Sequence, residues 1–274
     1  MKKKDNLSNV SLLIIGYDPY KDVWDHYFEL LNKYWKERPK TYLATNQLTP
    51  NYEGVTVIPV GDDAEWSKKV YTSLESINTD YVILLLEDFF TTNFVNNEKI
   101  ESLLEIISEN EIKYCKLLNQ AKFRGEIFKN YKYLKVTPRT DGYAISLQPS
   151  IWHKQFLSDC VGTDNYNAWI FELYKIREVV PNKNVIDVIS DSRNILEITH
   201  AIVQSQYLRR AVRVFKKQNY EFDYSKRGVM SFQDTVRYRV KIFFAQYTPR
   251  ILWNSFKSIG RVMKVNFVSD KYKG

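Results

Sequence analysis

Short apolar runs alternate with amphipathic segments along the first part of the chain. Four runs, at residues 10–16, 40–46, 55–61 and 80–86, predict buried strands. Between and after them, apolar residues recur every three or four positions and predict helices over residues 22–34, 64–78 and 97–109. Alternating helices and wholly apolar strands are typical of an α/β protein whose mostly parallel sheet is covered on both faces. In such sheets, ligands bind beyond the carboxyl ends of the strands.

The pattern continues less regularly up to about residue 205. Residues 114–119 and 143–152 predict two further strands, the second ending at Pro149 and giving way to a helix through Phe156 and Leu157. Residues 167–178 predict another helix. Past residue 206, apolar and aromatic positions recur at helical spacing beside Lys and Arg, with an interruption at Pro249. We therefore expect a sheet domain over residues 1–205 and a basic amphipathic helical tail over residues 206–274.

The charge is concentrated in that tail. Residues 206–274 hold sixteen Lys or Arg against four Asp or Glu, a net charge of +12, whereas residues 1–205 hold 24 against 28, a net charge of −4. Basic amphipathic helices with aromatic residues bind anionic membrane surfaces, although the same pattern also fits a packing face whose charges are solvated. Nucleic acid is not an expected partner, because no nucleic-acid-binding module is recognisable and the larger part is acidic.

The composition limits the class of protein. With 44% hydrophobic and 15% aromatic residues the chain can form a sizeable core, and no apolar run is long enough for a transmembrane helix. The apolar stretch at residues 10–15 is too short for a signal peptide, so we expect a cytoplasmic protein. Cys115 and Cys160 have no metal-ligand spacing and are expected to be reduced thiols.

Two adjacent carboxylates, Glu87 and Asp88, end the most apolar of the predicted strands. At the ligand-binding edge of a sheet they would repel each other unless a cation or a hydrogen-bond donor neutralised them. Carboxylate oxygens suit Mg²⁺ or Mn²⁺ carrying a phosphorylated substrate. The alternative is an ordinary polar junction between a strand and a loop.

Four segments in a fixed order give the chain a family resemblance. "LLLEDFF", "ISLQPSIW", "NAWIFEL" and "ILEITHAIVQ" follow the predicted Rossmann-like units. This order resembles a family of bacterial glycosyltransferases with the GT-A fold that build surface polysaccharides, over roughly residues 10–205. The resemblance implies an α/β GT-A fold and a nucleotide-sugar donor, a UDP-sugar in particular. The basic helical extension lies beyond the matching part.

The resemblance also implies roles for individual residues. The donor would dock at Tyr17, Asp18, Asn46, Asp62, Asp63, Glu87 and Asp88. Glu87 and Asp88 would stand in place of the family's Asp-x-Asp motif, with His200 as a third metal ligand or a diphosphate contact. The chain departs from that motif because Phe89, not an acid, follows Asp88. A divalent metal, Mg²⁺ or Mn²⁺, is therefore an expectation that rests mainly on Asp88, and His200 has the alternative of a structural role.

Sugar transfer with inversion needs a group that takes the proton of the acceptor hydroxyl. The resemblance points to Glu172 as this base, with Asp164 as its competitor; the alternative for Glu172 is a solvated helix charge. Gln148 and Trp152 are candidates for the acceptor site, since amides and aromatic faces are common sugar contacts, while Trp152 also fits a place in the core.

These expectations combine into a glycosyltransferase that transfers a sugar from a nucleotide-sugar to a saccharide or lipid-linked acceptor. We expect it on the inner face of the cell membrane, attached through the tail. Two other functions fit the pattern: a nucleotidyltransferase with a similar sheet, and a non-catalytic membrane scaffold of the same fold. Against the nucleotidyltransferase, the stretch "IIGYDPYKD" has one glycine and no arginine with which to grip a triphosphate.

Overall fold

A computed structural model describes residues 6–118, 125–137, 144–176 and 188–247 of the chain. The strands are β1 (Val10–Ile15), β2 (Thr41–Thr45), β3 (Val55–Pro59), β4 (Tyr81–Leu86), β5 (Phe89–Thr91), β6 (Tyr114–Lys116), β7 (Ile127–Phe128), β8 (Tyr131–Val136), β9 (Ser150–His153), β10 (Val188–Asp191), β11 (Ile198–His200), β12 (Ile202–Val203) and β13 (Gln206–Tyr207). The helices are α1 (Lys21–Tyr34), α2 (Trp66–Glu75), α3 (Asn97–Glu109), α4 (Lys154–Val161), α5 (Ala168–Ile170), α6 (Arg209–Lys217) and α7 (Phe232–Tyr247). Two 3₁₀ turns, Asn6–Asn9 and Asp18–Tyr20, precede β1 and α1, and a π-helical turn, Phe171–Lys175, continues α5.

A nine-stranded sheet has the order β3-β2-β1-β4-β9-β6-β10-β8-β7. The first four strands are parallel, and so are β6 and β10. Strand β9 runs antiparallel between β4 and β6, and β8 runs antiparallel to β10. The carboxyl ends of β4 and β6 and the amino end of β9 therefore meet at the same edge. The sheet reverses its winding between β1 and β4, which is the position where open α/β sheets form a ligand-binding crevice.

The alternation of side chains divides the core between the two faces of the sheet. One face packs Leu13, Leu84 and Tyr114 against α2, α4 and the π-helical turn, and its buried cluster includes Trp66, Trp152 and Phe171. The intervening residues point to the opposite face, since successive side chains of a strand alternate. Helix α1 lies on that side, with Trp24 and Phe28 buried. Helices on both faces explain why β1, β2 and β4 are buried almost throughout. The predicted burial of β3 is wrong, because this strand lies at the edge of the sheet and is partly exposed.

A small second sheet forms where β4 ends. Strand β5 pairs antiparallel with β11, and their register places His200 opposite Phe89. The connection from β4 to β5 consists of Glu87 and Asp88 alone. The two carboxyl groups therefore occupy a tight turn between the central sheet and the second sheet.

This architecture confirms the predicted α/β class, with a mostly parallel central sheet flanked by helices. The first four strands and first three helices fall where the apolar patterns predict them. The strand predicted over 143–152 is wrong in its first part, because pairing begins at Ser150, after Pro149 instead of before it. The helix predicted over 167–178 becomes a π-helical turn after Ile170, and residues 177–178 lie outside the described part.

The chain divides into two compact units, residues 1–201 and 202–274. In the second unit, the short β12–β13 hairpin precedes α6, whose Ala211 and Phe215 are buried. The ring of Phe215 stacks on Phe222 at a centroid distance of 4.1 Å, and Tyr207 lies edge-on to Phe222 at 5.5 Å. None of the helices in the described ranges is both long and apolar enough to cross a membrane. The part of the basic stripe beyond Pro249 lies outside the described residues.

Candidate functional site at the carboxyl edge of the sheet

Glu87 continues the alternation of β4 and points towards α1. Its Oε2 accepts hydrogen bonds from the backbone N of Tyr17 at 3.0 Å and from Nε1 of Trp24. Burial raises the pKa of Glu87 to about 8, because a carboxylate loses hydration in this setting. Glu87 thus joins the loop after β1 to the end of β4, across the winding reversal of the sheet.

Asp88 points instead towards the second sheet. Its Oδ2 lies 2.9 Å from Nε2 of His200, and the His200 ring stacks on Phe89 with a centroid distance of 4.7 Å. The backbone carbonyl of Asp88 also accepts a hydrogen bond from N of Ala201 at 2.8 Å. The other carboxylate oxygen, Oδ1, is buried and has no hydrogen-bond partner within the described residues. A buried carboxylate oxygen of this kind is an acceptor for a cation or a hydroxyl group.

The structure does not assemble the predicted metal triad. Within the described ranges, no three His, Cys, Asp or Glu side chains are grouped as metal ligands. Glu87 is separated from Asp88 and His200 by its orientation, and its Oε2 already accepts two hydrogen bonds. The donors that fit a divalent metal are Oδ1 of Asp88 and the His200 imidazole, which would leave the remaining positions to phosphate oxygens and water. A metal at Asp88 and His200 stays a prediction.

The loops after β1, β2 and β3 are tied together by the residues predicted to bind the donor. Asp18 accepts hydrogen bonds from the backbone N of Asn46, Gln47 and Leu48, at 2.8, 2.8 and 2.9 Å. The Asn46 side chain donates to the carbonyls that follow β3 at Gly61, Asp62 and Ala64. These side chains shape the crevice through their contacts with the backbone of the loops.

Other residues predicted to bind the sugar donor are open to solvent. The Tyr17 side chain is 53% exposed at the mouth of the crevice. Asp62 is exposed, and Asp63 is exposed and pairs with Lys68 at 3.2 Å. Of these three, Tyr17 offers a flat ring beside the reversal point, where a nucleobase can stack.

Lys69 is a site residue that the sequence analysis missed. It is only 3% exposed, and its Nζ donates to the carbonyl of Gly16 at 2.8 Å and to Oδ1 of Asn46 at 3.0 Å. The same ammonium lies 5.5 Å from the centroid of the Tyr17 ring. Burial lowers the pKa of Lys69, while the nearby charge of Glu87 raises it. Its position between Trp66 and Val70 on the apolar face of α2 is a signal that could have identified a buried lysine.

Glu172 lies on the other side of β4, at the same edge of the sheet. Its Oε1 accepts a hydrogen bond from the backbone N of Leu147 at 2.7 Å. Pairing of Leu84 and Lys116 with Ser150 places residue 147 just beyond the carboxyl ends of β4 and β6. The carboxylate is carried by the π-helical turn, a distortion often found at functional sites.

The environment of Glu172 suits a proton acceptor. Burial raises the pKa of its carboxyl group, whereas the hydrogen bond from Leu147 and the charge of Lys116 lower it. Lys116 is 4% exposed at the end of β6, and burial lowers its pKa to about 8 despite the opposing charge of Glu172. The charges of the buried Lys116 and the partly buried Glu172 thus influence each other at this edge.

The remaining predicted residues differ in their access to this edge. Trp152 is 0% exposed, its ring packs on Tyr114 at 4.5 Å, and its Nε1 donates to Oγ of Ser150 at 2.8 Å. Trp152 is thus a core residue and does not reach an acceptor. Gln148 is partly buried at the edge itself. Asp164 is exposed and pairs with Lys175 at 3.2 Å, so it lacks the buried environment of Glu172.

Comparison with known proteins adds similarity at the level of the fold. No protein-family model and no curated protein matches the sequence. A crystal structure of S. aureus TarS 1-349 in complex with UDP-GlcNAc is similar over 55% of this chain and 47% of that chain, with 14% identity and a TM-score of 0.37. A CMP:2-keto-3-deoxy-manno-octonic acid synthetase complexed with CTP is similar over 77% of this chain and 100% of that chain, with 12% identity and a TM-score of 0.45. The bifunctional IspDF from Campylobacter jejuni is similar over 66% and 52%, with 15% identity and a TM-score of 0.35.

The chain spans about half the length of the TarS chain that it matches. At these identities and TM-scores, the similarities carry no argument about chemistry.

Proposed function

We propose that this protein is a glycosyltransferase that moves a sugar from a nucleotide-sugar, a UDP-sugar in particular, to a saccharide or lipid-linked acceptor. The observation that carries the proposal is the presence of two different carboxyl groups at one sheet edge. Asp88, paired with His200, lies at the end of β4, and the partly buried Glu172 lies beyond the adjacent β9. A transferase needs one site for the diphosphate and one base for the acceptor hydroxyl, and this edge offers a candidate for each.

In this proposal the donor lies across the reversal between β1 and β4. Its base stacks on Tyr17, and its diphosphate lies at the Asp88–His200 pair. A divalent metal bound at Asp88 would neutralise charge on the diphosphate. Glu172 removes the proton of the acceptor hydroxyl as that oxygen bonds to the anomeric carbon. The bond from the anomeric carbon to the donor phosphate breaks, and the nucleoside diphosphate leaves with the bonding electrons, so the configuration inverts.

An assay of the products tests this reaction. Purified protein is incubated with UDP-, GDP- or CDP-sugars and a panel of tetrasaccharides of glucose, galactose and N-acetylglucosamine, with mass spectrometry as the readout. The proposal predicts a saccharide heavier by one sugar and a free nucleoside diphosphate. In a parallel incubation with nucleoside triphosphates and sugar phosphates, release of pyrophosphate would indicate a nucleotidyltransferase instead. No turnover of any nucleotide would favour the non-catalytic scaffold.

The Glu172→Gln variant tests the assignment of the base. Glutamine keeps an oxygen that accepts from N of Leu147 but cannot take up a proton. We expect donor binding like that of the wild type and a loss of transfer of about 10²-fold or more, the usual contribution of a general base. Asp164→Asn is the matched control and should retain activity, since Asp164 is a solvated partner of Lys175. Full activity of the Glu172 variant would remove Glu172 as the base.

We also propose that the second unit attaches the protein to an anionic membrane surface on the cytoplasmic side. Helix α6 has five exposed cations and no acid: Arg209, Arg210, Arg213, Lys216 and Lys217. On α7, Phe232, Val236 and Val240 are 70%, 44% and 45% exposed at helical spacing. Apolar side chains beside many cations fit the interface of an anionic bilayer.

A further inference from the structure

One exposed aromatic side chain lies beside the proposed base. Trp169 is 47% exposed, whereas Trp24, Trp35, Trp66 and Trp152 are at most 6% exposed. Trp169 precedes Glu172 by three residues, less than one turn along the segment formed by α5 and the π-helical turn. One short helical segment therefore carries both the exposed indole and the proposed base at the carboxyl edge of the sheet.

The helical segment is fixed at its start by the loop before it. Oγ of Ser67 donates to the carbonyl of Asp164 at 2.7 Å and accepts from N of Tyr166 at 2.7 Å. Asn165 accepts from N of Glu65 at 2.9 Å and donates to the carbonyl of Asp63 at 2.9 Å. These bonds tie the loop to the start of α2, on the side of the crevice proposed to hold the nucleotide.

The segment is also fixed around Trp169 itself. The Asn167 side chain caps α5 by accepting from N of Trp169 at 3.1 Å and N of Ile170 at 3.2 Å. Phe171 is fully buried against Trp66 at a centroid distance of 4.8 Å, and Glu172 is held by Leu147. An exposed ring is thus carried on a backbone that is anchored before and after it.

We infer that Trp169 is a binding residue for the acceptor, on which one sugar ring of the acceptor saccharide stacks beside Glu172. Sugar rings present an apolar face of C–H groups, and a flat aromatic side chain covers that face without requiring a charged ligand. A hydroxyl of the stacked or adjacent sugar then lies within reach of Glu172. The inference rests on the proposed function, and it assigns to Trp169 the aromatic contact that the buried Trp152 cannot make.

Steady-state kinetics with the best tetrasaccharide of the product assay test the inference. Trp169→Ala should raise KM for that acceptor about tenfold, the effect of losing roughly 50 Å² of buried apolar surface. The kcat, the KM for the donor and the melting temperature should stay close to the wild-type values, because the ring binds ground state and transition state alike. The Trp169→Phe variant should retain most of the wild-type affinity for the acceptor.

Phe94→Ala is the matched control. Phe94 is 70% exposed, and its ring packs edge-on to Tyr34 of α1 instead of lying on the helical segment that carries Glu172. Unchanged acceptor KM in Trp169→Ala would overturn the inference while leaving the proposed transfer reaction intact. An equal rise in Phe94→Ala, or a rise accompanied by a lower melting temperature, would overturn it as well. If the wild-type protein transfers sugar neither to a saccharide nor to a lipid-linked saccharide, the proposed function fails and this inference fails with it.

Discussion

At the scale of single residues, strand geometry gives two adjacent acids different environments. Glu87 continues the alternation of β4 and accepts hydrogen bonds from Tyr17 and Trp24, whereas Asp88 turns towards His200. The buried carboxyl group of Glu87, with its two hydrogen-bond donors, stabilises the loops. The carboxylate of Asp88, paired with the imidazole of His200 at the crevice, is the one available to a ligand. The pair therefore divides structural and proposed ligand-binding roles between its members.

Glu87 should make the stability of the protein depend on pH. Its pKa of about 8 in the folded state lies above the ordinary value of a glutamate, so the folded state holds a proton that the unfolded state releases. Stability conferred by that proton is present at acidic pH and is lost as pH rises towards 8. The free energy of unfolding of Glu87→Gln, measured by urea denaturation, should fall less between pH 5 and pH 8 than that of the wild type. Glu105→Gln, at an exposed position of α3, should keep the wild-type slope; equal slopes for wild type and Glu87→Gln would contradict the prediction.

Lys116 should set the pH range in which Glu172 acts. Its charge lowers the pKa of Glu172, so Lys116→Met should raise that pKa and move the acid limb of the kcat/KM profile to higher pH. Lys116→Arg should keep the limb near the wild-type position. Lys113→Met, at the opposite end of the same strand, serves as the control. If the acid limb does not move in Lys116→Met, the charge of Lys116 does not influence the pKa of the base.

The sequence was informative about which residue types lie at this edge, and less so about their orientation. The ends of the apolar runs mark the ends of the strands. The sequence could therefore indicate which polar residues lie at the carboxyl edge: Glu87, Asp88, Gln148 and Glu172. Whether Trp152 was core or surface depended on the start of β9. The helical pattern of α2 places Lys69 on the apolar face, but it does not reveal the partners of Lys69, Gly16 and Asn46. Contacts between distant segments decide such cases, and a single sequence does not contain them.

At the scale of elements, the turn from β1 into α1 depends on close packing at Gly16. A Cβ atom at this position would lie 2.7 Å from Cζ2 of Trp24, closer than van der Waals contact allows. Trp24 in turn donates to Glu87, so the contact connects β1, α1 and β4 at the reversal of the sheet.

The Gly16→Ala variant should therefore loosen this junction. We expect a loss of about 1–3 kcal/mol in the free energy of unfolding, the usual cost of overpacking a core. Donor affinity, measured by calorimetry, should fall as well, because the Tyr17 amide would shift relative to Glu87. Ser8→Ala, at an exposed position ahead of β1, is a control for substitution nearby. Wild-type stability and affinity in Gly16→Ala would show that the junction tolerates the extra methyl group.

The elements that the apolar patterns predicted best are those with long and regular repeats. Strands β1 to β4 and helices α1 to α3 belong to this group. Strands β8 and β10 were missed, since "YKYLKV" has alternating lysines and "VISD" is short. The pairing of β5 with β11 joins residues about a hundred positions apart, and no local pattern records it. The second sheet, which positions His200, was thus the least predictable part of the fold.

At the scale of the whole molecule, the charge is distributed unevenly between the two parts of the chain. Residues 206–274 carry a net charge of +12, and five exposed cations lie on α6. In our proposal, this part brings the sheet domain to a membrane where a lipid-linked acceptor resides. The second unit would then attach the protein to the membrane, and the sheet domain would carry out the transfer.

Neutralising α6 should weaken attachment without affecting the reaction. The triple substitution Arg209→Gln, Arg210→Gln and Arg213→Gln should reduce sedimentation with vesicles containing 30% phosphatidylserine, because each cation near an anionic surface contributes about 1 kcal/mol. The triple substitution Lys33→Gln, Lys36→Gln and Lys40→Gln removes exposed charges from the first unit and serves as the control. Transfer to a soluble saccharide should be the same in all three proteins. Equal sedimentation of the α6 variant and the wild type would refute the membrane role of α6.

Binding of a nucleotide-sugar at the carboxyl edge is the property on which the proposed transfer depends. Thermal unfolding of the full chain is followed with UDP-, GDP- and CDP-sugars, each with and without Mn²⁺, for the wild type and for Asp88→Ala and Glu172→Gln. We expect at least one nucleotide-sugar to raise the melting temperature of the wild type and of Glu172→Gln, and Asp88→Ala to lose most of this increase. If no nucleotide-sugar raises the melting temperature of the wild type, this protein is not a glycosyltransferase of the proposed kind.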